Sequence, residues 1–108
     1  QKRDFIFVED VANLLSFLVL TEQKEQTEIF NLCTGLGYTV NELTTVLERI
    51  SEKKVTLVIR PGIAEKRIII GDNRKIIRES GRAIEFNLTD GLRLCYSRYL
   101  PLLRKREQ

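Results

Sequence analysis

Within a few residues of Gln1 the chain runs through Phe5-Ile6-Phe7-Val8, an aromatic and β-branched stretch that reads as a short buried strand. Glu9 and Asp10 follow, placing negative charge where a helix would begin, and Val11, Leu14, Leu15, Leu18 and Val19 then recur at helical spacing. This change from a short continuous apolar run to helical spacing constrains the fold most, and it is repeated along the sequence. Ile29 to Cys33, Val55 to Ile59 and Ile68 to Ile70 are further strand candidates. Thr39 with Glu42 forms a capping box in front of a stripe of Val40, Leu43, Val46, Leu47 and Ile50. Asp72 or Asn73 is placed to cap a short helix that Gly81 would end, and a last helix from Thr89 and Asp90 would turn Leu92, Cys95, Tyr96 and Tyr99 inward, with Pro101 ending or kinking it. Strand and helix alternate, which predicts an α/β protein: a small mixed α/β layer forming one domain over residues 1–108.

The residue inventory narrows the chemistry. Among 108 residues there is no histidine, so the usual general base near neutral pH is missing. Cys33 and Cys95 are the only cysteines, too few for a four-ligand zinc site, so no metal is expected; each sits in an apolar stretch and reads as a small buried hydrophobe, with a disulfide between them as the alternative. The longest apolar run, Leu14 to Leu20, is interrupted by Ser16 and is far short of the roughly 20 residues a membrane span needs. With a strand starting almost at Gln1 there is no room for a signal peptide, and a cytoplasmic location is expected.

Candidate binding residues are few. Gly35-Leu36-Gly37 lies between a strand candidate and a helix start, where amides can receive an anion, but it lacks the third glycine of a dinucleotide fingerprint and reads as a turn. From Arg60 to Arg82, seven cations (Arg60, Lys66, Arg67, Arg74, Lys75, Arg78, Arg82) face three anions (Glu65, Asp72, Glu79), mostly as a solvated surface. Arg60 differs, because it ends an apolar strand at the Pro61-Gly62 corner and its fork is placed to grip a phosphate; Arg3, before the first strand, has a similar position. Asn87-Leu88-Thr89 matches a glycosylation acceptor but reads as a loop leading into a helix cap, and Tyr96 and Tyr99 fit a packing face. Arg104 to Gln108 reads as a solvated tail.

Taken in order, these segments resemble a known family. Arg3-Asp4-Phe5-Ile6-Phe7-Val8-Glu9-Asp10-Val11-Ala12 is similar to the Arg-Asp-Tyr/Phe-x-x-Val-x-Asp-Val-Ala segment that follows the catalytic half of extended short-chain dehydrogenase/reductases, the NAD-dependent epimerase/dehydratase family. Asn31 to Gly35 resembles its Asn-Val-Gly-x-Gly turn, with Cys33 replacing a glycine. Arg60-Pro61-Gly62 resembles its Arg-Pro-Gly-Asp corner, with Ile63 in place of the aspartate, and Asp72 to Ile76 its Asp-x-x-Lys-Ala helix start. Ile84 to Leu92 resembles its closing loop and Gly-Leu helix.

The resemblance implies the carboxy-terminal, substrate-binding part of a Rossmann-type enzyme acting on nucleotide sugars. Arg3 and Arg60 would hold the substrate diphosphate. The glycine-rich loop and the Tyr-x-x-x-Lys pair do not occur, so no catalytic residue is assigned; they would lie upstream of Gln1 in a Rossmann part that binds NAD or NADP, with this portion binding no cofactor itself and being inactive alone. The implied partners are a nucleotide sugar and that Rossmann part, with a homodimer favoured by the apolar face left uncovered and neither membrane nor nucleic acid expected. Two rivals make different predictions. A non-catalytic interaction domain derived from such an enzyme would not bind nucleotide sugars, whereas a basic nucleic-acid-binding module, suggested by the cations clustered from Arg60 to Arg82 but opposed by a net charge of only +3, would bind with steep salt dependence.

Overall fold

The computed structural model describes residues 1–22, 27–58, 62 and 67–106. Its sheet is minimal: β1 (Lys2–Arg3) pairs in parallel with β2 (Ile68–Ile69), in the register Lys2 to Ile68 and Arg3 to Ile69. On the other side of β1, Arg3 forms an antiparallel bridge with Tyr38. Among the described residues, four helices complete the fold: α1 (Val8–Leu20), α2 (Val40–Ser51), α3 (Arg74–Ser80) and α4 (Leu88–Arg106). α1 packs on α3, and α2 packs on α4.

The helices begin and end for identifiable reasons. The capping box of α2 forms as expected: Thr39 Oγ1 accepts from Glu42 N at 3.1 Å while Glu42 Oε2 accepts from Thr39 N at 2.8 Å. Asn73 is the N-cap residue of α3 but makes no side-chain cap bond; Asp72 before it accepts from Arg74 N at 3.0 Å, and Gly81 ends that helix in the left-handed region at φ 66°. Asn87 Oδ1 accepts from Asp90 N at 2.8 Å, so the acceptor-like triplet serves as a helix cap. α4 does not stop at Pro101 but continues to Arg106, so Arg104 and Lys105 are helical. A proline at position 101 removes only the donor to the carbonyl of Ser97, an exposed residue whose carbonyl water can serve.

Three expected strands differ. The residues 5–7 form no ladder, because Phe7 is the extended residue preceding α1 and turns its ring into the core, 4.8 Å from that of Phe86; Val8 is already helical. Ile29 to Cys33 forms no strand either, since side chains near α3 take its carbonyls: Lys75 Nζ donates to Ile29 O and Asn73 Nδ2 to Cys33 O, both at 2.9 Å. Residues 55–58 are exposed and unpaired in any sheet, and Ile59 lies outside the described residues. A strand exists only when a neighbouring backbone completes its ladder.

The core is correspondingly small. Among the described residues the buried hydrophobics are Phe7, Leu14, Cys33 and Ile76. Of the expected α1 stripe Leu14 is buried and Val11 and Leu18 are half-buried, but Leu15 and Val19 face outward, 46% and 81% exposed. Tyr99, expected in the packing face of α4, is likewise exposed. No described helix is long and apolar enough to cross a membrane.

Candidate functional site

Two aspartates in the amino-terminal segment organise everything around them. Asp10, 1% exposed, accepts from Glu85 N at 2.9 Å and Phe86 N at 3.1 Å, tying the loop before α4 to the first turn of α1. A carboxylate that far from water persists only with donors on both oxygens, and this one has them. Asp4 gathers a second set of backbone groups. Its Oδ1 accepts from Thr34 N at 2.9 Å and Thr34 Oγ1 at 2.6 Å, and its Oδ2 from Gly35 N at 2.9 Å and Gly71 N at 3.3 Å. The segments on either side of β1 are thereby fastened to the residue after Arg3.

The same contacts decide what the Gly35-Leu36-Gly37 turn can do. Gly35 takes the left-handed conformation at φ 81°, but the amides of Thr34 and Gly35 point at Asp4 and that of Leu36 is taken by Thr34 Oγ1 at 3.1 Å. A dinucleotide pyrophosphate would need those donors and would meet a carboxylate, so this turn does not fit the cofactor; it is a structural turn. Beside it, Cys33 and Gly71 are packed so closely that a side chain at Gly71 would overlap the Cys33 sulfur. Burial raises the Cys33 thiol above its ordinary pKa, and the negative charge of Asp4 adds to the effect. Cys33 and Cys95 are both free thiols; Cys33 is buried as expected and Cys95 only half-buried.

Arg3 is held by main chain on both sides: it exchanges hydrogen bonds of 2.9 Å with Tyr38 in both directions and is in register with Ile69. One guanidinium nitrogen donates to the Lys2 carbonyl at 2.9 Å. Arg60 and the Pro61 corner, with Ile63 after it, lie outside the described residues.

Among the described basic residues of the 60–82 cluster, Arg74, Lys75 and Arg82 have internal partners. Arg74 pairs with Asp72, whose carboxyl it holds down to about 2 through side-chain hydrogen bonds. Lys75 binds the Ile29 carbonyl and lies 4.4 Å from the centre of the Phe30 ring. Arg82 binds the Asn13 carbonyl and Ser16 Oγ, and its guanidinium sits over Phe17, stapling α1 to the segment after α3.

Two clefts open beside this frame. The larger, about 420 Å³, lies between α2 and the start of α4 and is lined by Tyr38, Asn41, Glu42, Thr45 and Arg49 among others. The second, about 270 Å³, is lined by Phe5, Thr34, Leu36, Tyr38 and Phe86 among others. Tyr38, Asn87 and Leu88 belong to both. Sequence reasoning read Asp10 only as negative charge at a helix start and assigned no role to Asp4 or Tyr38. The two acids had a readable signal, since they flank an apolar run, where an unpaired charge would be costly; Tyr38 had none, because its importance comes from pairing with Arg3.

No family model matches the chain. Over 82 residues it is 37% identical to UDP-glucose 4-epimerase 2 of Arabidopsis thaliana, and 38% identical to UDP-glucose 4-epimerase 4 of Oryza sativa subsp. japonica. These matches take in 71% of this chain but only 23% and 22% of the plant proteins, so it spans about a quarter of the length of the curated relatives. Among solved structures, RMD from Pseudomonas aeruginosa complexed with NADPH superposes with a TM-score of 0.75 at 26% identity, over 85% of this chain and 30% of that one. WbmF of Bordetella bronchiseptica in complex with NAD+ and UDP superposes with a TM-score of 0.70 at 27% identity, over 97% of this chain and 32% of its own.

Proposed function

Because this chain belongs to the extended short-chain dehydrogenase/reductases, whose matched members include nucleotide-sugar epimerases, we propose that it is the carboxy-terminal, substrate-binding part of such an enzyme. The observation that carries the reading is the fit of nearly the whole chain to about a third of an enzyme holding NAD+ and UDP. In this reading residues 1–108 form one unit, and Arg3, fixed between Tyr38 and β2, meets the diphosphate of the nucleotide sugar together with Arg60. Guanidinium forks suit that task because they offer paired donors to phosphate oxygens.

The chemistry would belong to an NAD(P)-binding Rossmann part of a longer protein, and this portion would bind no cofactor and be inactive alone. That agrees with the Gly35 turn, whose amides are already occupied by Asp4. NAD or NADP supplies hydride transfer in such enzymes; the residues present here would bind and orient the sugar nucleotide. Arg74, Lys75 and Arg82 are already engaged by Asp72, the Ile29 carbonyl and Asn13, which weighs against a nucleic-acid surface built on that stretch.

Calorimetric titration with UDP-, dTDP-, GDP- and CDP-sugars, on this chain alone and on the longer protein that contains it, tests the proposal. Binding by the longer protein, weakened at least tenfold by Arg60→Ala, is expected from the loss of a charge-assisted phosphate contact. A folded long protein that binds none of them would favour the non-catalytic interaction domain.

A further inference from the structure

We infer that Tyr38 is the wall against which the nucleoside end of the ligand rests, a deepening of the nucleotide-sugar reading and dependent on it. Arg3 and Tyr38 exchange both backbone hydrogen bonds, each of 2.9 Å, which makes them a directly opposed antiparallel pair. Such a pair projects its two side chains from the same face, with their Cβ atoms about 5 Å apart. A ligand whose diphosphate meets Arg3 therefore has the Tyr38 ring within the reach of its adjoining ribose and base.

The clefts support the same direction. Tyr38 is the aromatic residue common to the 420 Å³ and 270 Å³ spaces, and among the described residues no hydrogen bond is recorded for its hydroxyl. The larger cleft contains one carboxylate and one guanidinium, Glu42 and Arg49, with Asn41 and Thr45 also on α2. Those charges cancel, and Glu42 would repel a phosphate. The neutral end of a nucleotide suits the space better, with ring stacking on Tyr38 and amide and hydroxyl groups at hand for its edges.

The test uses the longer protein that contains this chain, with three probes: UDP, uridine and inorganic pyrophosphate. Tyr38→Ala should weaken UDP and uridine about ten- to a hundredfold while leaving pyrophosphate within about twofold. Tyr38→Phe, which retains the ring, should recover most of the affinity, and Tyr38→Leu, which fills similar space without an aromatic face, should not. Arg3→Ala should show the opposite pattern, losing pyrophosphate and UDP more than uridine. Far-UV circular dichroism on each variant confirms that the fold is retained.

Normal UDP affinity in Tyr38→Ala and Tyr38→Leu, with Arg3→Ala impaired, overturns the assignment and leaves the nucleotide-sugar reading standing. Equal loss of pyrophosphate and UDP on changing Tyr38 also overturns it, because the ring would then only be supporting Arg3. Absence of UDP binding by the unaltered protein, with other nucleotide sugars equally silent, removes both.

Discussion

The most consequential single residues are the two aspartates that carry the ends of the amino-terminal motif. Asp10 is buried with two backbone donors and, among the described residues, no ion pair, so peptide dipoles satisfy it there. Replacing it with alanine removes the acceptor and strands the amides of Glu85 and Phe86 beneath the loop. Asp10→Ala is expected to cost about 2–4 kcal/mol, the range for leaving buried donors unsatisfied. Urea unfolding followed by circular dichroism measures it, and a loss below about 1 kcal/mol would mean that water reaches those amides. Asp4 differs in kind, since it holds several segments at once and its loss would also release Arg3 from its fixed surroundings.

Among the elements, α2 is the best specified. Its reciprocal cap predicts that Thr39→Ala costs about 1 kcal/mol, and a thermal melt showing no loss would mean that packing against α4 alone fixes the start of the helix. Helices were legible in the sequence because their signals are local: Thr39, Glu42 and Gly81 act on backbone groups three or four residues away. Strands were less so. Phe5 to Val8 and Ile29 to Cys33 have the composition of strands, yet composition cannot supply the neighbour a ladder requires, and in this chain side chains of Asn73 and Lys75 occupy the carbonyls instead. Ile68 and Ile69 became a strand because Lys2 and Arg3 lie alongside. For the site, the motif identified Arg3 as important, but its pairing with Tyr38 spans 35 positions and has no counterpart in spacing or periodicity. That gap is why the aromatic wall of the clefts was not read from the sequence.

At the scale of the whole molecule, the balance of surface and core points beyond the chain. A compact protein of 12.6 kDa exposes about 6,200 Å² and one of 108 residues has a radius of gyration near 13 Å. This one exposes 8918 Å² with a radius of gyration of 17.1 Å. The surplus of about 2,700 Å² is in the range buried by obligate interfaces. Part of it is identifiable: α1 has no charged residue after Asp10, yet Leu15, Val19 and Leu20 lie outward on the side opposite buried Leu14. Apolar residues on the outward side of a helix belong against something larger. If the rest of a longer enzyme normally covers that face, the isolated chain is expected to cover it with a second copy and to shift from monomer towards dimer as its concentration rises in sedimentation velocity. Leu15→Glu with Val19→Glu should return it to monomer with little change in its own unfolding midpoint, because both side chains already face solvent. The same pair in the longer protein should lower the unfolding midpoint, since there the two charges would be forced into an apolar contact. A chain that stays monomeric at every concentration, and a longer protein indifferent to the two glutamates, would show that this face is left open to water.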